Sequence, residues 1–237
     1  MKQDLMMAAA KKRSVIEDPN WDKVVLCLPM DGADNGTTFT DVKGKIVTAN
    51  GNAKTVTATK KFGTASAYFD GAGGYLTVAD SADFAFGSGD FTVEAWVYIS
   101  AYQTYFTVAG QWESLSDYSW AVYITNSGSL AVASMNSSSV EKYSTSAAGV
   151  VPLGTWKHIA AVRNGSTITG YVDGVSCLTI DVTGFTLRDS TTAVSIGRIL
   201  LSPAYYANGY IDDLRITKGL ARYTEDFTPP VRALPTR

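Results

Sequence analysis

Nine consecutive residues, FTVEAWVYI at positions 91–99, alternate with the period of a β-strand. Phe91, Val93, Ala95, Val97 and Ile99 form a wholly apolar set, and Thr92, Glu94, Trp96 and Tyr98 form the other. Successive strand side chains point to opposite faces, so the first set predicts a core face. The second set mixes an acid, a hydroxyl and two aromatic rings. A strand of this kind belongs in the middle of a sheet, with its second face partly covered.

Turn chemistry extends the pattern. Asn164-Gly165 and Asp173-Gly174 are strong hairpin signals, because type I′ turns need positive φ at both central residues. They predict a meander of three strands over 156–163, 167–172 and 175–180. The sequence NSGS at 126–129 likewise joins strands over 120–125 and 130–134. Further strands are expected at 23–29, 66–69, 75–78, 105–109, 140–144, 194–198 and 209–217. About fourteen short strands with turns between them predict an all-β fold of two packed antiparallel sheets. One helical pattern competes, over 4–13, and it is too short to be stable alone in water.

With 237 residues, 46% hydrophobic and 18% charged, the chain can bury a sizeable core. No Pro-, Gly- or Ser-rich linker divides it. The expected organisation is an N-terminal arm over 1–20, one domain over 21–228 and an extended tail over 229–237, where prolines recur. A net charge of −2 gives no field to draw nucleic acid or an anionic membrane. No run of 18 apolar residues predicts a membrane span. The apolar stretch Leu5–Ala10 is short and is followed directly by Lys11, Lys12 and Arg13, against the order of a cleaved signal peptide. Synthesis in the cytoplasm is the expectation. Cys27 and Cys177 lack metal or redox spacing and read as two buried reduced thiols.

Four segments now carry a resemblance: VVLCLPMDGADNGTTFTDVKGK, KFGTASAYFDGAGGYLTVADSADFAFGSGDFTVEAWVYI, GTWKHIAAVRNGSTITGYVDGV and GYIDDLRITKGLARYTEDFTPP. In this order they resemble the laminin-G-like, concanavalin A-like jelly-roll superfamily, in the variety common in bacteriophage and bacterial proteins. The resemblance implies a β-sandwich with one convex and one concave sheet, Trp156 in the core and His158 as a packed strand residue. Relatives range from lectins and adhesion domains to structural parts of virions, so the fold alone does not fix an activity. The resulting expectation is a non-enzymatic phage virion protein, in a capsid decoration, head fibre or tail. It would display a lectin-like domain, attach to other virion proteins through its arm and form a homo-oligomer. The alternatives are a receptor-binding lectin for host-surface glycan and, third, a glycan-cleaving enzyme.

Glycoside hydrolysis needs two carboxylates facing each other across a cleft. Glu94 is the only acid in its strand, and the adjacent Asp212 and Asp213 should point to opposite faces. No catalytic residue is therefore assigned. For a structural calcium, the loop MDGADNGTTFTD and the late strand YIDDLRI offer Asp31, Asp34 and Asp212, which could meet if the first and last strands are neighbours. The competing reading makes these acids acceptors for backbone N–H groups in turns. For a sugar, flat aromatic faces beside a few polar partners are needed. Glu94, Trp96, Tyr98, Trp112, Trp120 and Tyr123 are the candidates, with packing in the core as the competing role for each tryptophan.

Overall fold

The structure is a computed structural model and describes residues 17–114, 117–199 and 205–237. In chain order its strands are β1 (Val24–Leu28), β2 (Val47–Asn50), β3 (Lys54–Val56), β4 (Ser66–Asp70), β5 (Tyr75–Val78) and β6 (Phe91–Ile99). Then come β7 (Tyr105–Ser114), β8 (Asp117–Thr125), β9 (Leu130–Met135), β10 (Glu141–Thr145), β11 (Trp156–Asn164) and β12 (Thr167–Val172). The last are β13 (Val175–Asp181), β14 (Val194–Ile196), β15 (Arg198–Ile199), β16 (Tyr205–Tyr206) and β17 (Asn208–Lys218). The expected helix over 4–13 lies outside the described residues.

Two large antiparallel sheets pack face to face. One has eight strands in the order β13-β12-β11-β6-β17-β4-β3, with β1 also paired to β17. The other has seven, in the order β10-β9-β8-β7-β14-β5-β2. The strand read first from the sequence is central: β6 lies between β11 and β17. Its set Phe91, Val93, Ala95, Val97 and Ile99 is buried in the inter-sheet core. Phe86 bridges the layers there, stacked on Phe91 at 4.4 Å and tilted against Trp120 at 5.2 Å.

The meander forms at both dipeptide turns, and Asp173 itself takes φ of 50° in the second. β2, β3 and β16 escape the sequence reading because they are short and lie at sheet edges or in a two-stranded ribbon. Such strands have little apolar alternation; β2 is VTAN and has no fully buried residue. Cys27 and Cys177 are both free, the first buried and the second half-buried, and burial pushes the thiols up to about 12 and about 11.

β17 carries the irregularity that shapes the outer face of the eight-stranded sheet. Asp212 pairs with Trp96 and Arg215 with Glu94, so β17 fits an extra residue against β6. The bulge sits where β17 changes neighbour, from β4 up to Ile211 to β1 from Leu214. Asp213 has φ of 48° there, a left-handed conformation that bulges accommodate. The extra residue keeps Ile211, Leu214 and Ile216 in the core. It also corrects the expectation that Asp212 and Asp213 diverge to opposite faces: each carboxylate is buried and accepts hydrogen bonds from segments packed on the outer side.

Those segments include the C-terminal tail, which straps the outer face. Phe227 N–H donates to Gly174 O at 2.9 Å, and Leu234 N–H to Asp213 Oδ2 at 2.9 Å. Tyr223 stacks on Phe227 with ring centroids 3.6 Å apart, above Ala160, Val162 and Tyr171. Asp18 N–H donates to Arg237 O at 2.8 Å, so residue 18 and the tail run side by side.

Candidate functional site

Four half-buried aromatic residues from four adjacent strands form a row on the outer face of the eight-stranded sheet. Register builds it directly: Tyr68 of β4 lies opposite Tyr210 of β17, Tyr210 opposite Tyr98 of β6, and Tyr98 opposite Trp156 of β11. Successive ring centroids are 5.2, 5.7 and 5.7 Å apart. Strand spacing makes the row about 14 Å long.

A pocket of about 380 Å³ adjoins the Tyr68 end and is lined by Asn35, Asn52, Lys54 and Asp70 among others. Another of about 490 Å³ adjoins the Trp156 end, between Lys61, Phe62, Trp96, Asp173 and the tail from Thr228 to Val231. The row therefore offers ring faces flanked by amides, ammonium groups and carboxylates.

Beneath the tail lies a buried ionic network. Arg215 donates to Glu94 Oε1 from Nε at 2.9 Å and from Nη2 at 2.7 Å, and to Asp18 Oδ2 from Nη1 at 3.0 Å. Arg222 donates to Asp18 Oδ2 at 2.7 Å. Tyr223 Oη donates to Glu94 Oε2 at 2.7 Å, and His158 Nε2 lies 3.3 Å from the same oxygen. Burial alone would raise the Glu94 carboxyl, but Arg215 and His158 outweigh it and hold it well below the usual carboxylate range. Asp18 is also held low, by Arg222 and Arg215 against the opposing effect of burial. A cleft of about 690 Å³ lies between this network and the tail, but Arg215 and Arg222, which line its floor, already have carboxylate partners.

The sequence-derived sugar residues do not share one surface. Tyr98 belongs to the exposed row, and Trp96 lies beside it under Phe62 and Lys61. Glu94 is fully buried within the ionic network, where no sugar can reach it. Trp120 is in the inter-sheet core, because it shares the inward parity of Val122 and Ile124 along β8 and packs on Phe86. Trp112 and Tyr123 lie on the outer face of the other sheet, in a separate buried cluster with Tyr118. Trp156, expected in the core, is a half-exposed end of the row. Tyr68 and Tyr210 escape the sequence reading. Their outward parity is legible, but only pairing makes them neighbours of Tyr98.

The metal candidates are each engaged by protein donors. Asp31 Oδ1 accepts from Thr64 Oγ1 at 2.9 Å, and Asp34 Oδ1 from Thr57 N–H at 3.0 Å. Asp212 Oδ2 accepts from Lys61 and Phe62 N–H at 2.7 and 3.0 Å. Burial still pushes Asp212 up to about 7, with Asp31 close enough to add to the rise. Among the described residues, no three His, Cys, Asp or Glu side chains gather as a metal-binding group. The arrangement fits turn closure by backbone donors.

No curated protein matches the sequence. Among solved structures, the binding domain of Paraclostridial Mosquitocidal Protein 1 superposes with a TM-score of 0.67 at 11% identity, over 84% of this chain and 50% of that one. The receptor binding domain of botulinum neurotoxin C/D mosaic serotype gives 0.64 at 13%, over 85% and 49%. The binding domain of botulinum neurotoxin DC, solved in complex with SialylT, gives 0.60 at 16%, over 84% and 49%. This chain thus spans about half the length of these chains. At such identities the likeness establishes the fold. Among the described residues, no helix is long and apolar enough to cross a membrane. The model of the concanavalin A-like lectin/glucanases superfamily matches residues 70–222, and the chain belongs to that superfamily.

Proposed function

We propose that this chain is a non-catalytic recognition module that binds surface glycan along the row Tyr68–Tyr210–Tyr98–Trp156. The carrying observation is the row itself: four half-exposed rings in line, with polar groups at both ends. Sugar rings stack their apolar faces on such surfaces while neighbouring polar groups fix orientation. Binding without turnover is favoured because Glu94, the acid a glycosidase reading would use, is locked to Arg215 and closed to solvent. The comparison with toxin binding domains, one solved with SialylT, supports recognition in the same sense.

The setting we propose is a bacteriophage particle, in the capsid or tail. The sequence resemblance supports it. Attachment would run through the N-terminal arm, of which residues 1–16 lie outside the described part, while Asp18 is pinned by Arg215 and Arg222. Several copies on one particle would add avidity to modest single-site affinity.

A glycan array tests the reading. Wild type should bind a defined set of glycans, and Tyr98→Ala and Trp156→Ala should each weaken binding about tenfold or more with the fold intact. Absence of binding by wild type, or unchanged binding by both variants, overturns it.

A further inference from the structure

We infer that the glycan taken by this row is anionic, with its acidic groups meeting Lys54 and Lys61. This rests on the glycan-binding reading and narrows the ligand class. Lys54 lies opposite Tyr68 in the register, so it shares the outer face with the row. Its Nζ is 5.8 Å from the Tyr68 ring centroid and donates to the neutral Asn35 Oδ1 at 2.6 Å. Lys61 Nζ lies 3.8 Å from the Trp96 ring centroid, at the edge of the pocket beside Trp156. Among the described residues, neither ammonium has a carboxylate within ion-pair distance, whereas Lys157 pairs with Asp173 at 2.7 Å and Lys45 with Asp83.

The acids near the row are committed elsewhere. Asp70 accepts from Ala72 and Gly74 N–H and from Asn52 Nδ2, at 2.9, 3.0 and 2.7 Å. Asp173 takes Lys157 Nζ and His158 N–H. Asp212 takes the backbone of Lys61 and Phe62 from below. Local carboxylates are thus spent on structure, and two half-buried cations remain on aromatic faces. A ring face is a weaker partner for an ammonium than a charge-assisted hydrogen bond to an oxyanion. An anionic sugar lying on the tyrosines would supply that oxyanion. The faces under Lys54 and Lys61 belong to Tyr68 on β4 and Trp96 on β6, two strand spacings across and two residues along, or about 12 Å apart. One short oligosaccharide can therefore reach both cations while stacking on Tyr210 and Tyr98 between them.

The test is an array in which every uronate or sialate glycan stands beside its carboxyl-reduced twin and every sulfated glycan beside its desulfated twin. Wild type, Lys54→Gln and Lys61→Gln are compared at low and high salt, with melting curves to confirm equal folding. The inference expects wild type to prefer the anionic member of a pair at least tenfold. Each lysine variant should cut that preference severalfold, because it weakens the anionic member of a pair more than its neutral twin, and salt should erode the preference. The carboxylate and sulfate arms identify which oxyanion is read. Equal binding of both twins, or lysine variants that keep the full preference, overturns the inference while the aromatic row still stands as a glycan site. Absence of binding to every glycan overturns both.

Discussion

Glu94 is fully buried, and its carboxylate is held by Arg215, His158 and Tyr223. In the sequence it reads as a polar contact beside two aromatic rings, because parity reveals a side chain's face but not what covers that face. The cover comes from residues far away along the chain, Arg215 and Tyr223 among them. Removing one partner of a buried ion pair leaves the other charge uncompensated, typically at about 3–5 kcal/mol. Glu94→Gln should lower the melting temperature by roughly 10 °C. Glycan binding at temperatures where the variant is folded should be unchanged. Calorimetry together with the array separates this structural role from a binding role, since Tyr98→Ala should show the opposite pattern.

Among the elements, the β12–β13 turn and the C-terminal strap are coupled through one glycine. Gly174 has φ of 78°, and a Cβ placed there would lie 1.7 Å from Phe227 O. No flexible side chain can yield to relieve that contact, because the obstructing atom is backbone. Gly174→Ala should therefore lift the strap near Phe227 and break the hydrogen bond from Phe227 N–H. The expected readouts are faster amide exchange at Phe227 and Leu234 and a loss of about 1–3 kcal/mol in stability. The three strands of the meander should keep their protection, because their ladder does not depend on the strap. Asp173-Gly174 was legible as a hairpin signal. That the same turn also receives the tail was not, since no local pattern encodes a contact across fifty residues.

For the whole molecule, pH acts on how the outer segments dock. Burial pushes Asp213 up to about 7, against the hydrogen bond from Leu234 N–H, which favours its charged form, and Asp212 adds to the rise. A raised folded pKa means that the native state binds a proton the unfolded state has already released. This contribution to stability is fully present below the ordinary aspartate pKa near 4 and is lost as pH rises to about 7. Asp213→Asn keeps an acceptor for Leu234 and removes the charge. It should melt higher than wild type at pH 8, with the difference shrinking towards zero near pH 4, and a series of melting curves across that range measures it. Alternation and turn residues by themselves determined the all-β class, the central strand, the meander and the two-sheet packing, because face and turn geometry are properties of a few consecutive residues. The binding surface was decided only by tertiary structure. Tyr68, Tyr98, Trp156 and Tyr210 become one row through strand order and register, and strand order is set by how the whole chain closes its core rather than by any residue's immediate neighbours.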